Sequence, residues 1–446
     1  MRLPAIALLC IFAAACLAQQ PTADLTGSFP LGVYWPWERV GPGAEFCGLD
    51  KWDYVERCLD DMQAHNVDSL WVVNLGIAEL PDLAQRVAAR EMTLVPALGE
   101  LHYQVDWRRN NWEYLERESR RAIEAAGSSP AVLAWALCDE PRSTIVEEME
   151  TFRGKFHEWG ATQPAVVVTM WHDTVAYADQ SGFPVVCPDI YPFFSAGNPN
   201  GPNTPAASRA WYRRHCMVAT EAAARNGKTP WVMPQAYHEV WGPWSYDEQQ
   251  DAVILPGGLL HWRPPTEAEM RWQVWAAVAA GMKGFFWFCY GAPPADSPEA
   301  KPYEGTTFPP SMAVTEPTEL GFPGALIRRD LETTPQYEVV GEVFGALKAL
   351  LPLLADAVPA KQPLLEVEPP GWTGAFRSPA AGRDFAVVVN DDTERAQEVR
   401  CWAVRPTDFR DLRTGNVIRR GEDGTLVVPL GPGDGTVLEP VAQDAG

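Results

Sequence analysis

Short apolar runs alternate with amphipathic stretches eight times over roughly 300 residues, and few chain topologies accept that rhythm. The apolar runs are 31–37 (LGVYWPW), 69–74 (SLWVVN), 93–98 (TLVPAL), 132–138 (VLAWALC), 165–170 (AVVVTM), 185–191 (VVCPDIY), 231–237 (WVMPQAY) and 284–288 (GFFWF). Helical spacing of apolar residues fills the gaps: after Asp50, near 79–91, 111–126, 143–159, a short piece near 173–180, 206–226, and from Thr266 onward. Thr266 and Glu269 form the sequence signature of a capping box. Eight strands that each feed a helix predict an α/β chain, a (β/α)8 barrel over 29–335. Long Pro-, Gly- and Trp-rich segments follow strands six, seven and eight at 192–205, 238–265 and 291–335. In such a barrel these lie at the carboxyl ends of the strands and shape a pocket there.

Beyond Pro335 the pattern changes. Residues 336–359 read as a connecting helix with Val339, Val343, Leu347, Leu350 and Leu354 as its stripe, ended or kinked by Pro352. Residues 360–446 read as short β runs split by turns, a small antiparallel β-sandwich. The Gly431-Pro432-Gly433-Asp434-Gly435 run lacks the Lys-Ser/Thr of a phosphate loop and reads as a turn.

Charge narrows the partners. Lys and Arg number 36 against 58 Asp and Glu, so 36 − 58 gives −22, with no basic run. Nucleic acid and anionic membrane surfaces are excluded as partners on that balance. Residues 1–18 read as an export signal: Arg2, then an apolar stretch too short to span a bilayer. Cleavage after Ala18 competes with a lipoprotein reading in which Cys16 carries a lipid anchor. Either places the mature chain outside the cytoplasm, secreted, periplasmic or membrane-anchored, with no transmembrane segment. Of the seven later cysteines, Cys47 and Cys58 are the pair that proximity favours for a bridge; Cys138, Cys187 and Cys289 read as small buried packers. No His spacing suits a catalytic metal and no dinucleotide fingerprint occurs, so no cofactor is expected.

The chemistry centres on Trp135-Ala136-Leu137-Cys138-Asp139-Glu140-Pro141 at the end of strand four. Simple alternation puts Ala134, Ala136, Cys138 and Glu140 on one face. A Glu shielded there among Trp rings would have a raised pKa and act as a general acid. The competing reading is a surface Glu that opens a loop, or a helix-capping partner of Arg142. Candidate sugar-binding groups at strand ends are Trp35, Trp37, His102, Trp171, His172, Tyr191, Gln235, Tyr237, His238, Trp241 and Trp287, with Trp244 nearby. Flat rings stack on pyranose C–H faces, and amides and imidazoles bind hydroxyls.

On these residues the chain resembles clan A of the glycoside hydrolases, including the family 42-like β-galactosidases. The resemblance implies an acid/base role for Glu140, an aromatic sugar floor at Trp287, and an accessory domain bearing the Asp411-Leu412-Arg413-Thr414-Gly415 turn. It departs at two places. Asp139 stands where the clan has Asn, and Gln235 stands where its nucleophilic Glu ends strand seven. An amide cannot form a glycosyl ester. Glu239, four residues on, could take that role; Asp189 could serve as base in an inverting reaction or be a structural carboxylate. The Asp139-Glu140 pair is also similar to that of substrate-assisted hexosaminidases. Three readings follow: a glycoside hydrolase acting on oligo- or polysaccharide, a carbohydrate-binding barrel without catalysis, and barrel chemistry on another substrate.

Overall fold

The computed structural model describes residues 25, 27–102, 111–195, 198, 201–202, 204–241, 245–247, 252–254, 259–291, 320–328 and 330–441. The segment 1–18, Cys16 and Trp244 lie outside them. Eight parallel strands close a barrel. They are β1 Leu31–Pro36, β2 Ser69–Leu75, β3 Thr93–Leu98, β4 Trp135–Asp139, β5 Ala165–Met170, β6 Val185–Ile190, β7 in two pieces (Thr229–Pro230 and Met233–Pro234) and β8 Phe285–Phe288. Continuous ladders join β8-β1-β2-β3 and β4-β5-β6-β7. Single parallel bridges complete the ring, Leu94 to Val132 on one side, Val232 to Phe285 and Gln235 to Phe288 on the other.

Alternation sorts each strand into two cores. Tyr34, Trp71, Ala97, Ala136, Val168, Trp231 and Phe286 fill the barrel axis. Leu31, Val33, Trp35, Leu70, Val72 and Trp287 face the helices. Large and small residues offset each other inside. Gly32 is required there, since a Cβ on it would stand 2.5 Å from the Phe286 ring.

The helices are α1 Lys51–Ala64, α2 Leu80–Ala88, α3 Trp112–Ala126, α4 Val146–Glu158, α5 Thr174–Gln180, α6 Pro205–Arg225, α7 Glu267–Ala280 and α8 Pro335–Leu354. Asp50 caps α1 by accepting from Trp52 N at 2.8 Å, and the Thr266–Glu269 capping box opens α7. The segment expected as a connector is instead the eighth barrel helix. In α8, Tyr337 stacks on His65 at 4.0 Å, and Gly341 O accepts from Asn66 Nδ2 at 3.0 Å. Glu342 pairs with Arg271 of α7 at 3.2 Å, so α8 bridges α1 and α7.

After α8 come two antiparallel sheets. One has six strands, with Arg383–Asn390 and Gly435–Pro440 at its centre, and the other three, Leu365–Val367, Gln397–Ala403 and Thr425–Leu430. Ala386, Val388, Val399, Cys401, Leu426 and Val428 pack between them. The outer face of the larger sheet sits on α7, where Trp272 Nε1 donates to Asp391 Oδ1 at 2.9 Å. Residues 431–434 turn between two strands, as expected. No disulfide links the seven cysteines past the signal, so the expected Cys47–Cys58 bridge is not formed. No described helix is long and apolar enough to cross a membrane.

Candidate active site at the carboxyl end of the barrel

A cavity of about 480 Å³ opens at the carboxyl ends of the strands. That volume lies within the ~300–1,000 Å³ range of small-ligand sites. Four acidic residues named from the sequence meet on its wall: Asp139 and Glu140 after β4, Asp189 on β6, and Glu239 beyond β7. Glu38 joins them.

The end of β4 departs from simple alternation. Ala136 pairs with Val166 and Cys138 with Val167, so Leu137 is an extra residue, a β-bulge. Val166 and Val168 face the axis, and Asp139, opposite Val168, therefore turns inward. Cys138 is swung out against the helix-side core. The shielding expected for Glu140 falls on Asp139 and Asp189 instead. Glu140 is exposed at the mouth, with φ of +44°. That left-handed backbone is costly for a non-glycine residue. It ends the strand and leaves the carboxyl on the cavity wall rather than in the barrel interior.

Asp139 is half-buried and accepts from Tyr34 Oη at 3.3 Å. Loss of hydration, then the neighbouring Glu140 carboxylate, push its carboxyl up to about 7, against the lowering effect of that hydrogen bond. Asp189 is 4% exposed. Burial first, then the Glu140 charge and a side-chain hydrogen bond with Glu140, hold the Asp189 carboxyl well above the usual range. Like charges in contact do not both ionise, so Asp189 keeps its proton against Glu140. This contact is too close for Asp189 and Glu140 to be the widely separated acid and base of an inverting pair, which need ~6.5–9.5 Å between them.

Because folded Asp139 stays protonated to about pH 7 while an unfolded Asp ionises near 3.8, its contribution to stability is complete below the unfolded value. It is lost as pH rises toward 7. Asp139→Asn, which does not titrate, is therefore expected to gain melting temperature relative to the native chain between pH 5 and 8. Thermal melts by circular dichroism over that range check it; a constant difference would remove the raised carboxyl.

Aromatic side chains build the rest of the wall. Phe288 lies 4.9 Å from Tyr34, 5.6 Å from Tyr191 and 4.8 Å from Tyr237, ring to ring. Tyr191 is 5.1 Å from Tyr237 and 5.7 Å from Trp262. Burial pushes both phenols up, so they remain donors. Trp171, 37% exposed, packs edge-on to Trp211 at 5.4 Å, and both rings line the outer rim.

Several expected residues are elsewhere. Trp35, Trp37 and Trp287 are buried behind the strands in the helix-side core, and Trp37 Nε1 donates to Glu79 Oε2 at 2.7 Å. The strand phase decides this: Tyr34 and Phe288, one residue away, take the inward places. Gln235 is fully buried, but its amide is spent on backbone. Oε1 accepts from Phe193 N at 2.9 Å; Nε2 donates to Arg263 O at 2.9 Å and Tyr237 O at 3.2 Å. It does not line the cavity. His238 is buried outside it, and loss of hydration lowers its imidazole to about 4. His172 is exposed, 3.3 Å from Asp173, beside Trp171 but off the wall. The side chains of His102 and Trp241 lie outside the described residues.

Sequence reasoning missed Tyr34, Glu38, Arg39, Asn74, Phe194, Trp211, Trp262 and Phe288, all on the cavity wall. Gly32 and Tyr34 could have marked the inner face of β1, because only a glycine fits against the axial Phe286. Trp262 and Trp211 carried no periodic signal. Among the described residues no group of three His, Cys, Asp or Glu side chains is arranged to hold a metal ion.

No family model matches the chain, and no curated protein matches it in sequence. Among solved structures it is similar to a β-glucuronidase from Ruminococcus gnavus in complex with D-glucuronic acid, at 11% identity and a TM-score of 0.47, over 71% of this chain and 49% of that one. It is likewise similar to a Faecalibacterium prausnitzii β-glucuronidase, at 13% identity and a TM-score of 0.47, over 71% and 49%. The chain thus spans about half the length of these enzymes. A likeness this distant assigns neither substrate nor site residue, and the barrel stands on its own strand pairing.

Proposed function

We propose that this protein is a glycoside hydrolase acting on O-glycosidic bonds of oligo- or polysaccharides, with Glu140 as general acid and base. One observation carries the reading: Asp139, Glu140, Asp189 and Glu239 converge on a sugar-sized, aromatic-walled cavity at the carboxyl end of a barrel. Glu140 is the acid at the open mouth, where a leaving alcohol must depart. Asp189 holds its proton and so is a poor nucleophile. Glu38 is exposed and accepts from Asn74 Nδ2 at 3.0 Å, whereas Glu239, 4% exposed on the wall beyond β7, takes the attacking role.

In the first step Glu239 forms an ester to the anomeric carbon as the glycosidic C–O bond breaks, and the proton that Asp189 holds against Glu140 passes through the Glu140 carboxyl to the leaving oxygen. In the second, water attacks the same carbon, the Glu140 carboxylate takes its proton, and the ester bond to Glu239 breaks. The reading of a non-catalytic carbohydrate-binding barrel drew on Gln235. Since that amide is bonded to backbone outside the cavity, its identity says nothing about lost catalysis. The expected export signal would place the substrate outside the cytoplasm.

The test is hydrolysis of a panel of aryl and natural glycosides, with proton NMR of the first-formed anomer. Retention of configuration is expected. Inversion would remove Glu239 as nucleophile, cleavage confined to 2-acetamido sugars would move that role to the substrate, and binding without cleavage across the panel would overturn the enzyme.

A further inference from the structure

The charge on the cavity wall is one-sided. Five acidic residues line it, and Arg39 is the one basic side chain there among the described residues. Arg39 is buried, and its Nη1 donates to Gly291 O at 3.0 Å and to Cys289 Sγ at 3.5 Å.

A second observation separates this wall from an ordinary acidic surface. Asp189 is 4% exposed, and its Oδ1 has no hydrogen-bond partner. An unsatisfied buried carboxyl oxygen is costly, and here it borders an open cavity rather than a packed core. Around it stand the rings of Tyr34, Tyr191, Tyr237 and Phe288, whose faces attract cations as well as C–H groups. A compact group with several N–H donors and a positive charge satisfies both features. A hydroxyl satisfies only the first, and a carboxylate neither.

We propose that the cavity takes a sugar bearing a free ammonium group, seated against Asp189 and the aromatic rings beside it. The proposal rests on the hydrolase reading of the same cavity and names its substrate class: glycans with unacetylated amino sugar residues. The protonation of the wall supports it. Asp189 faces Asp139 and Glu140 from β4, with Tyr191 from its own strand and Tyr237 and Glu239 from beyond β7. An arriving ammonium replaces the protons that burial places on Asp139 and Asp189. Binding therefore releases protons and strengthens as pH rises from about 5 to about 7.

The experiment is isothermal titration of the full chain with D-glucosamine and D-galactosamine, with their parents D-glucose and D-galactose, and with D-glucuronate. At least one amino sugar is expected to bind about ten-fold or more tightly than its parent, with glucuronate weakest. That preference should shrink in high salt and in Asp189→Asn, and titrations in buffers of different ionisation enthalpy should register proton release. Parity between amino sugar and parent, or a preference for the neutral sugar, overturns the proposal. If Asp189→Asn fails to fold, the salt dependence and proton release of the native chain decide it. Glu140-dependent cleavage of neutral glycosides without the amino preference would sink this proposal and leave the hydrolase standing. The amino preference without any cleavage would do the reverse.

Discussion

Glu140→Gln is expected to lower turnover of a glycoside with an alkyl leaving group by about 10³-fold, within the ~10²–10⁴ that a positioned proton donor contributes. The amide keeps the size of the side chain and donates hydrogen bonds, but has no proton to transfer. The loss should depend on the leaving group. A dinitrophenolate departs without protonation, so formation of the glycosyl ester from a dinitrophenyl glycoside should be nearly unchanged. Its breakdown, which needs Glu140 as base, should be slow. A burst of dinitrophenol followed by a slow phase is the expected trace, and added azide, which needs no base, should speed the slow phase. Equal losses on both substrates would mean that Glu140 positions the sugar rather than moving a proton. Melting temperature should hold or rise at neutral pH, because the side chain is exposed and its charge opposes those of Asp139 and Asp189. Activity and stability therefore separate cleanly at this position.

The barrel was legible because its signal is periodic and repeated. Strand runs, the Asp50 cap and the Thr266–Glu269 box each depend on neighbours a few residues away, which a sequence displays directly. The eighth helix was misread as a connector because residues 291–334 separate it from β8, and that length breaks the strand–helix rhythm. The site was legible in part, and its errors have one physical origin. Side-chain direction in a strand has period two, so a single-residue error in phase moves a residue from the cavity to the far side of the wall. The bulge at Leu137 is such a shift: it exchanges Cys138 for Asp139 at the inner face. The same sensitivity sends Trp35 and Trp287 outward and Tyr34 and Phe288 inward. Trp262 was invisible because the short strand that carries it, Leu259–Trp262, gains its place only by pairing with the distant strand His238–Trp241.

Gln235→Glu is expected to destabilise the fold by about 2–5 kcal/mol at neutral pH and to add no activity. The amide sits at zero exposure between β7, β8 and the segment after β6. Its nitrogen donates to two carbonyls, Tyr237 O and Arg263 O, and its oxygen accepts from Phe193 N. A carboxylate keeps the last bond but turns an oxygen toward two carbonyl oxygens, and the neighbouring Arg263 guanidinium is already paired with both oxygens of Glu269. Each buried acceptor left without a donor costs ~1–3 kcal/mol, and a buried unpaired charge costs more. The new Glu would escape by keeping its proton, which restores one of the two donated bonds. Its folded pKa would then lie above the unfolded value near ~4.3, so the protonated form is fully present at low pH and stability falls as pH rises. Urea unfolding should accordingly show a larger loss at pH 8 than at pH 5. If Gln235 were instead a nucleophile position that had lost its acid, restoring Glu would cost little stability and raise hydrolysis of activated aryl glycosides. That pair of results would return the attacking role to β7 and remove it from Glu239. The hydrogen bonds around the amide argue the other way: residue 235 joins three backbone segments beneath the cavity, and the carboxylate on the cavity wall is Glu239, four residues further along.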